Sequence, residues 1–211
     1  MSDMNYIETI AAILALMIAI IGHEIMHGLV AYKYGDTTAK NAGRLSINPI
    51  VHIDPVGTII LPAILYFSGA PFMFGWAKPV PVDIRTVVRN GGYSGAIAVS
   101  LAGITYNFFL AIVSSFIFPY FNEVGSFVGY LLYMLVVYNV VLGVFNLYPI
   151  PPLDGAHALE YFAKIIKADM VANLLNSLER YGMIILIIFI ATPLSNWFFY
   201  PAIYIIDILL N

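Results

Sequence analysis

Residues 10–27 read IAAILALMIAIIGHEIMH, an uninterrupted apolar run from Ile10 to Gly22 that ends in His23-Glu24-Ile25-Met26-His27. Three ionisable side chains that a bilayer normally excludes are clustered there. An α-helix puts residues four apart on one face, so His23 and His27 can offer two imidazole nitrogens to one metal ion while Glu24 projects beside them as a base. HExxH occurs by chance in many helices, but position decides the reading here. Burying a carboxylate and two imidazoles at membrane depth costs on the order of several kcal/mol unless they are paired, metal-bound or facing water. The pattern is that of an HExxH zinc site set inside a membrane.

Composition agrees. Hydrophobic residues make up 61% of the chain, charged residues 10%, and the mean hydropathy is +0.89, far from a soluble globular average. Apolar stretches at Glu8–Tyr32, Gly95–Pro119, Ser126–Tyr148 and Gly182–Leu210 each reach the ~20 residues needed to cross a ~30 Å hydrocarbon core. The expected fold is an all-α polytopic membrane protein of about four transmembrane helices. A fifth stretch, Val56–Gly69, is short and contains Pro62, which suggests a re-entrant or interfacial element. Four crossings put all nine basic residues on one side (Lys33, Lys40, Arg44, Lys78, Arg85, Arg89, Lys164, Lys167 and Arg180). By the positive-inside rule that side is cytoplasmic and the N-terminus lies outside.

A net charge of −3 without a basic patch gives no sign of nucleic acid as a partner, and the absence of cysteine leaves His, Asp and Glu as metal ligands. There are no internal repeats, so residues 1–211 read as a single membrane-embedded domain, and the apolar start is too long for a cleaved signal peptide. Residues 33–55 are turn-rich and are expected to hold short strands at the membrane surface. Residues 71–83, with three prolines around Trp76, Lys78 and Val80, should be extended. Residues 157–181 have apolar positions three and four apart, at Leu159, Phe162, Ile166, Met170, Leu174 and Leu178, which predicts an amphipathic interfacial helix.

Catalytic zinc takes three protein ligands and a water, so two histidines are one ligand short. Asp154 is the best candidate third ligand. It follows Asn146-Leu147-Tyr148-Pro149-Ile150-Pro151-Pro152-Leu153, whose prolines must unwind the third span at a depth where only a protein-lined or watery cavity satisfies the freed backbone. The local sequence equally allows Asp154 to be the N-cap of the next helix, with Gly155 easing the turn.

Together, His23-Glu24-Ile25-Met26-His27 and Asn146 through Asp154-Gly155 resemble the two signatures of the site-2 proteases, intramembrane zinc metalloproteases. Asn48-Pro49, His52-Ile53-Asp54-Pro55, Gly57 and Phe74-Gly75-Trp76-Ala77-Lys78-Pro79-Val80-Pro81 look like the loop of their short prokaryotic branch, so the likeness covers roughly residues 20 to 160. It implies one Zn2+ per chain held by His23, His27 and Asp154, with Glu24 as general base and Asn146 as oxyanion donor. It also implies a transmembrane protein as substrate, regulated intramembrane proteolysis as the setting, and a prokaryotic cell membrane with the site near its cytoplasmic face. Asn146 also reads as a helix-packing amide. His52 reads as a structural histidine, and His157 as a weaker rival to Asp154.

One departure is that the family often has Ala-Gly-Pro ahead of an Asn in its middle core helix, where this chain has Ala102-Gly103-Ile104-Thr105-Tyr106-Asn107. Two other classes fit an intramembrane His/Asp cluster: a membrane metal carrier or transporter, and a non-catalytic relative that binds membrane segments. Glu24 separates them from a protease, because hydrolysis needs that carboxylate and transport does not.

Overall fold

The computed structural model describes residues 6–68, 75–121, 123 and 126–211. Helix α1 (Tyr6–Lys33) is ~42 Å long, enough to cross a bilayer and carry its end beyond it. Its residues Ala11, Ala15 and Ala19 are fully buried, and their spacing of four makes a stripe of small side chains that lets neighbouring helices approach closely. The same stripe continues one and two turns on as His23 and His27, so packing of α1 into the bundle also aims the two imidazoles inward.

The loop that follows α1 contains helical turns rather than strands. Helix α2 is Thr38–Asn41, Pro49–His52 is a 3-10 turn, and a π-helical turn at Pro55–Ile60 runs on into α3 (Leu61–Phe67). No strand occurs among the described residues, which corrects the expectation of short surface strands. The physical reason lies in the Asn and Asp residues that make this segment turn-rich. Asn48 accepts from the Ile50 N–H, and Asp54 accepts from the N–H groups of Val56 and Gly57, each just ahead of a proline at the first helical position. An Asx cap followed by Pro nucleates a helical turn. The stretch Pro55–Phe67 is only ~20 Å long, too short to cross, and exposes Ile59, Ile60, Ile64 and Phe67. This suits an element lying at the interface; Gly69 is outside the described residues.

Residues 75–83 are neither helix nor strand, as their prolines require, while 71–74 fall outside the described residues. Helix α4 (Ile84–Ile117) starts at the Asp83 cap, whose carboxylate accepts from Arg85 N–H and Thr86 Oγ1. It breaks at Gly92, where φ is +63°, a left-handed conformation that suits glycine. The break frees the segment from Gly95 onward to run through the bundle. Helix α5 (Phe127–Leu147) is capped by Ser126. Helix α6 (Asp154–Ile165) follows the proline-rich connection, and after a turn at Lys167 the chain continues as α7 (Asp169–Ala191) and α8 (Leu194–Leu210).

Helices α1, α4 and α5 pack on one another to form the core, with α6 laid against α4 and α8 against α5. Ala202 of α8 is buried with Ala111, Val136, Val140 and Val144. Among the described residues, four helices are long and apolar enough to cross a membrane, namely α1, α4 with its following turn, α5 and α7. The sequence-based span at 182–210 and the amphipathic helix at 157–181 are therefore divided differently. The first helix stops at Ile165, α7 joins the amphipathic 169–181 to the apolar 182–191, and the break falls at Thr192-Pro193. Thr192 is extended, at φ −111° and ψ 165°, because the proline ring disfavours helix at the residue before it.

Candidate metal centre

Two helices, α1 and α6, bring three side chains to one point. The His23 and His27 Nε2 atoms are 3.0 Å apart, and Asp154 Oδ2 lies 3.1 Å and 3.2 Å from them. Leu153 occupies the N-cap position of α6 and Asp154 its first turn, so the carboxylate is free to face the imidazoles instead of capping its own helix. Gly155 makes this geometry available: a side chain there would run into the Leu147 carbonyl, so the chain can fold back from α5 into α6 with Asp154 at the corner.

The hydrogen bonds around the cluster suit a cation. His27 Nδ1 donates to the Val99 carbonyl at 2.7 Å, and His23 Nδ1 donates to Asn107 Oδ1 at 2.6 Å. In each neutral ring the proton is thereby spent on Nδ1, and Nε2 presents a bare lone pair. Asp154 Oδ2 is buried without a hydrogen-bond partner. Burial favours its neutral acid, but the two imidazoles outweigh this and hold the carboxyl well below the usual carboxylate range. A carboxylate oxygen and two imidazole Nε2 atoms thus converge on one point, where a cation can take the place of any proton shared between them. A tetrahedral ion with bonds of ~2.1 Å places its ligand atoms ~3.4 Å apart, close to the spacing found. A His/His/Asp set with a fourth position left open is the donor chemistry of catalytic zinc, and zinc is the metal these residues fit.

The α4 backbone lies flat against both rings. A Cβ built on Gly103 would sit 2.5 Å from His27 Nε2 and 2.6 Å from His23 Cε1. Gly103→Ala is expected to push the imidazoles out of register, costing ~1–3 kcal/mol of stability and lowering zinc content at fixed free zinc. Thermal melting with metal analysis checks this, and unchanged zinc content and melting would contradict it. Helix α4 stays regular through Ile104, which is buried at the position where the resemblance leads one to look for proline.

Glu24 lies beside the cluster, and its Oε2 accepts from the Val80 N–H at 2.7 Å. Val80 belongs to the extended segment, which is strapped down along one edge. Trp76 N–H donates to Gly57 O and Lys78 N–H to His52 O, while Trp76 O accepts from Thr58 Oγ1 and Lys78 O from the buried Arg44. Asn146 donates Nδ2 to its own helix at Leu142 O, with one amide hydrogen still to give. His52 is buried and donates Nε2–H to Ser46 O, a loop-fixing role. His157 is outside the metal-binding group. Nothing in the sequence signals the Val80 contact. Asn139, which backs Asn107, was detectable as a lone amide in the middle of apolar α5.

Comparison with known proteins points the same way. A family model described as Peptidase family M50 matches residues 122–190, the part that carries Asn146 and Asp154. "Putative zinc metalloprotease YwhC" of Bacillus subtilis is 34% identical over 197 residues, covering 90% of this chain and 84% of that protein. "Putative zinc metalloprotease Rip2" of Mycolicibacterium smegmatis is 28% identical over 84% of this chain and 65% of its own length. "Putative zinc metalloprotease MJ0611" of Methanocaldococcus jannaschii is 30% identical over 72% of this chain. No solved structure matches the chain. The chain belongs to peptidase family M50, the site-2 protease family, and is a zinc metalloprotease with the apolar helices of an integral membrane protein.

Proposed function

We propose that residues 1–211 act as one membrane-embedded domain that hydrolyses a peptide bond in or beside a transmembrane segment of a membrane protein, as a step of regulated intramembrane proteolysis. The convergence of His23, His27 and Asp154 at 3.0–3.2 Å carries this reading. These three hold the zinc. When bound, zinc supplies a Lewis acid that activates water and polarises the scissile carbonyl. Glu24 takes the proton of the attacking water and passes it to the leaving amine. One Glu24 oxygen is kept in place by the Val80 N–H, which leaves the other for the water. The second amide hydrogen of Asn146 meets the oxyanion that develops on the scissile carbonyl. By the positive-inside rule, the basic residues of the loops that carry the site put it near the cytoplasmic face of a prokaryotic cell membrane, with the N-terminus outside.

A helical substrate must unwind before water reaches its peptide carbon, because its amides are spent within the helix. The extended segment is suited to receive it. Residues 76, 78 and 80 turn their backbone groups into the protein, while Ala77, Pro79 and Pro81 make no backbone hydrogen bond. Proline has no N–H, so the free edge offers carbonyl acceptors at 79 and 81 and one full donor–acceptor pair at Ala77. The unwound substrate donates its newly freed N–H groups to this edge. The chain has no cysteine, so a single Ala77→Cys in a Glu24→Gln background should form a disulfide with a reporter segment bearing one cysteine next to its scissile bond. If cysteines at 77 and 79 both fail to cross-link while one on α5 succeeds, substrate does not bind along this edge. The overall activity is tested by cleavage of a transmembrane-segment reporter by detergent-purified, zinc-loaded protein. Metal-dependent flux without cleavage would instead favour a carrier.

A further inference from the structure

We propose that Asn139 is a positioning residue for the metal centre: through Asn107 it holds His23 in the tautomer that can bind zinc. This rests on the ligand set proposed above. Asn107 on α4 and Asn139 on α5 are both fully buried, and they form a directed chain across the three core helices. Asn139 Nδ2 donates to Leu135 O at 2.8 Å, and Asn107 Nδ2 donates to Asn139 Oδ1 at 2.8 Å and to Ala19 O at 3.2 Å. Asn107 Oδ1 then faces His23 Nδ1 at 2.6 Å.

The direction of the chain is imposed from its ends. Leu135 O and Ala19 O are backbone carbonyls, which only accept. Turning the Asn107 amide over would set its oxygen against Ala19 O and Asn139 Oδ1. Turning both amides over would set Asn139 Oδ1 against Leu135 O. Each alternative leaves buried acceptors facing one another, at the cost of an unmade hydrogen bond in a low-dielectric interior. Asn107 must therefore present oxygen to His23, the His23 proton must sit on Nδ1, and Nε2 is left as a lone pair aimed at Asp154 and His27. Outer hydrogen-bond partners of this kind fix the tautomer and orientation of a ligating imidazole. Asn139 lies on a helix that supplies none of the three ligands, so the relay also ties the rotation of α5 to the metal centre.

The test pairs two substitutions whose ranking inverts between this role and simple packing. Asn139→Leu fills the space but removes the acceptor, and is expected to weaken zinc affinity about 10- to 100-fold, the range found for outer-shell partners. Asn139→Asp, buried and hence neutral, can give its O–H to Leu135 O and its carbonyl to Asn107, and is expected to retain affinity within a few fold of the original chain. If the residue only packs, leucine suits the apolar bundle and binds zinc at least as well as aspartic acid, which overturns the proposal. Zinc affinity is read by competition with a chelator on protein that keeps its helicity. A second measurement needs no variant at this position: nitrogen-15 spectra of metal-free protein with labelled histidine, in a His52→Gln/His157→Gln background. His23 protonated on Nδ1 is the expected result, and protonation on Nε2 would overturn the proposal. His27→Ala retaining full zinc would refute the ligand set itself, a result separate from the tautomer reading.

Discussion

Glu24→Gln is expected to leave zinc bound and to lower kcat/KM for a transmembrane-segment reporter by about 10²- to 10⁴-fold, the usual contribution of a positioned general base. That corresponds to ~3–5 kcal/mol of lost transition-state stabilisation. The substitution is close to isosteric, and the amide oxygen of glutamine can still accept the Val80 N–H that now holds Glu24 Oε2 at 2.7 Å. The strap over the site therefore stays in place. An amide cannot take up the proton of water, so the loss should fall on turnover and not on metal content. Steady-state cleavage and metal analysis on the same preparation check both. A Glu24→Gln protein that cleaves at the original rate would remove Glu24 from the chemistry, and zinc binding with no cleavage by either protein would point to a non-catalytic role.

Asp154→Asn is expected to abolish stable zinc binding, with cleavage falling to background. An amide is a neutral, weak ligand, and two imidazoles alone leave the site one ligand short. The loss should exceed the 10- to 100-fold that outer-shell changes produce. The clearest readout is thermal: a ligand at a thousand times its Kd stabilises the folded state by ~4 kcal/mol. Added zinc should raise the melting temperature of the original chain and leave that of Asp154→Asn unchanged. A variant that still gains stability from zinc and cleaves the reporter would exclude Asp154 as a ligand.

The two halves of the centre differ in how far they could be read without coordinates. His23, Glu24 and His27 sit within one turn of one helix, so their relative placement follows from helix geometry, and hydropathy puts that helix in a membrane. Asp154 was ambiguous for a local reason: an acidic residue between a proline-rich connection and a glycine serves equally as a cap or as a ligand. The surface loop misled for a similar reason. Asn48 and Asp54 ahead of prolines signal a chain reversal, and whether the reversal continues as a strand or as a helical turn depends on what it packs against.

The apolar helices, the paired imidazoles with their adjacent carboxylate, and the unwinding after Asn146 follow from local sequence. Each of these is set by periodicity, hydropathy or proline over a few residues. That Leu153 caps α6 so that Asp154 turns to the histidines, that Val80 holds Glu24, and that Gly103 is pressed against both rings depends instead on how the helices assemble. The same holds for the amide chain from Leu135 O through Asn139 and Asn107 to His23. These contacts join residues far apart in the chain, and they depend on the rotation and depth at which α1, α4 and α5 pack. Close packing of small side chains and the pairing of the buried amides set those quantities, and both are properties of the assembled bundle.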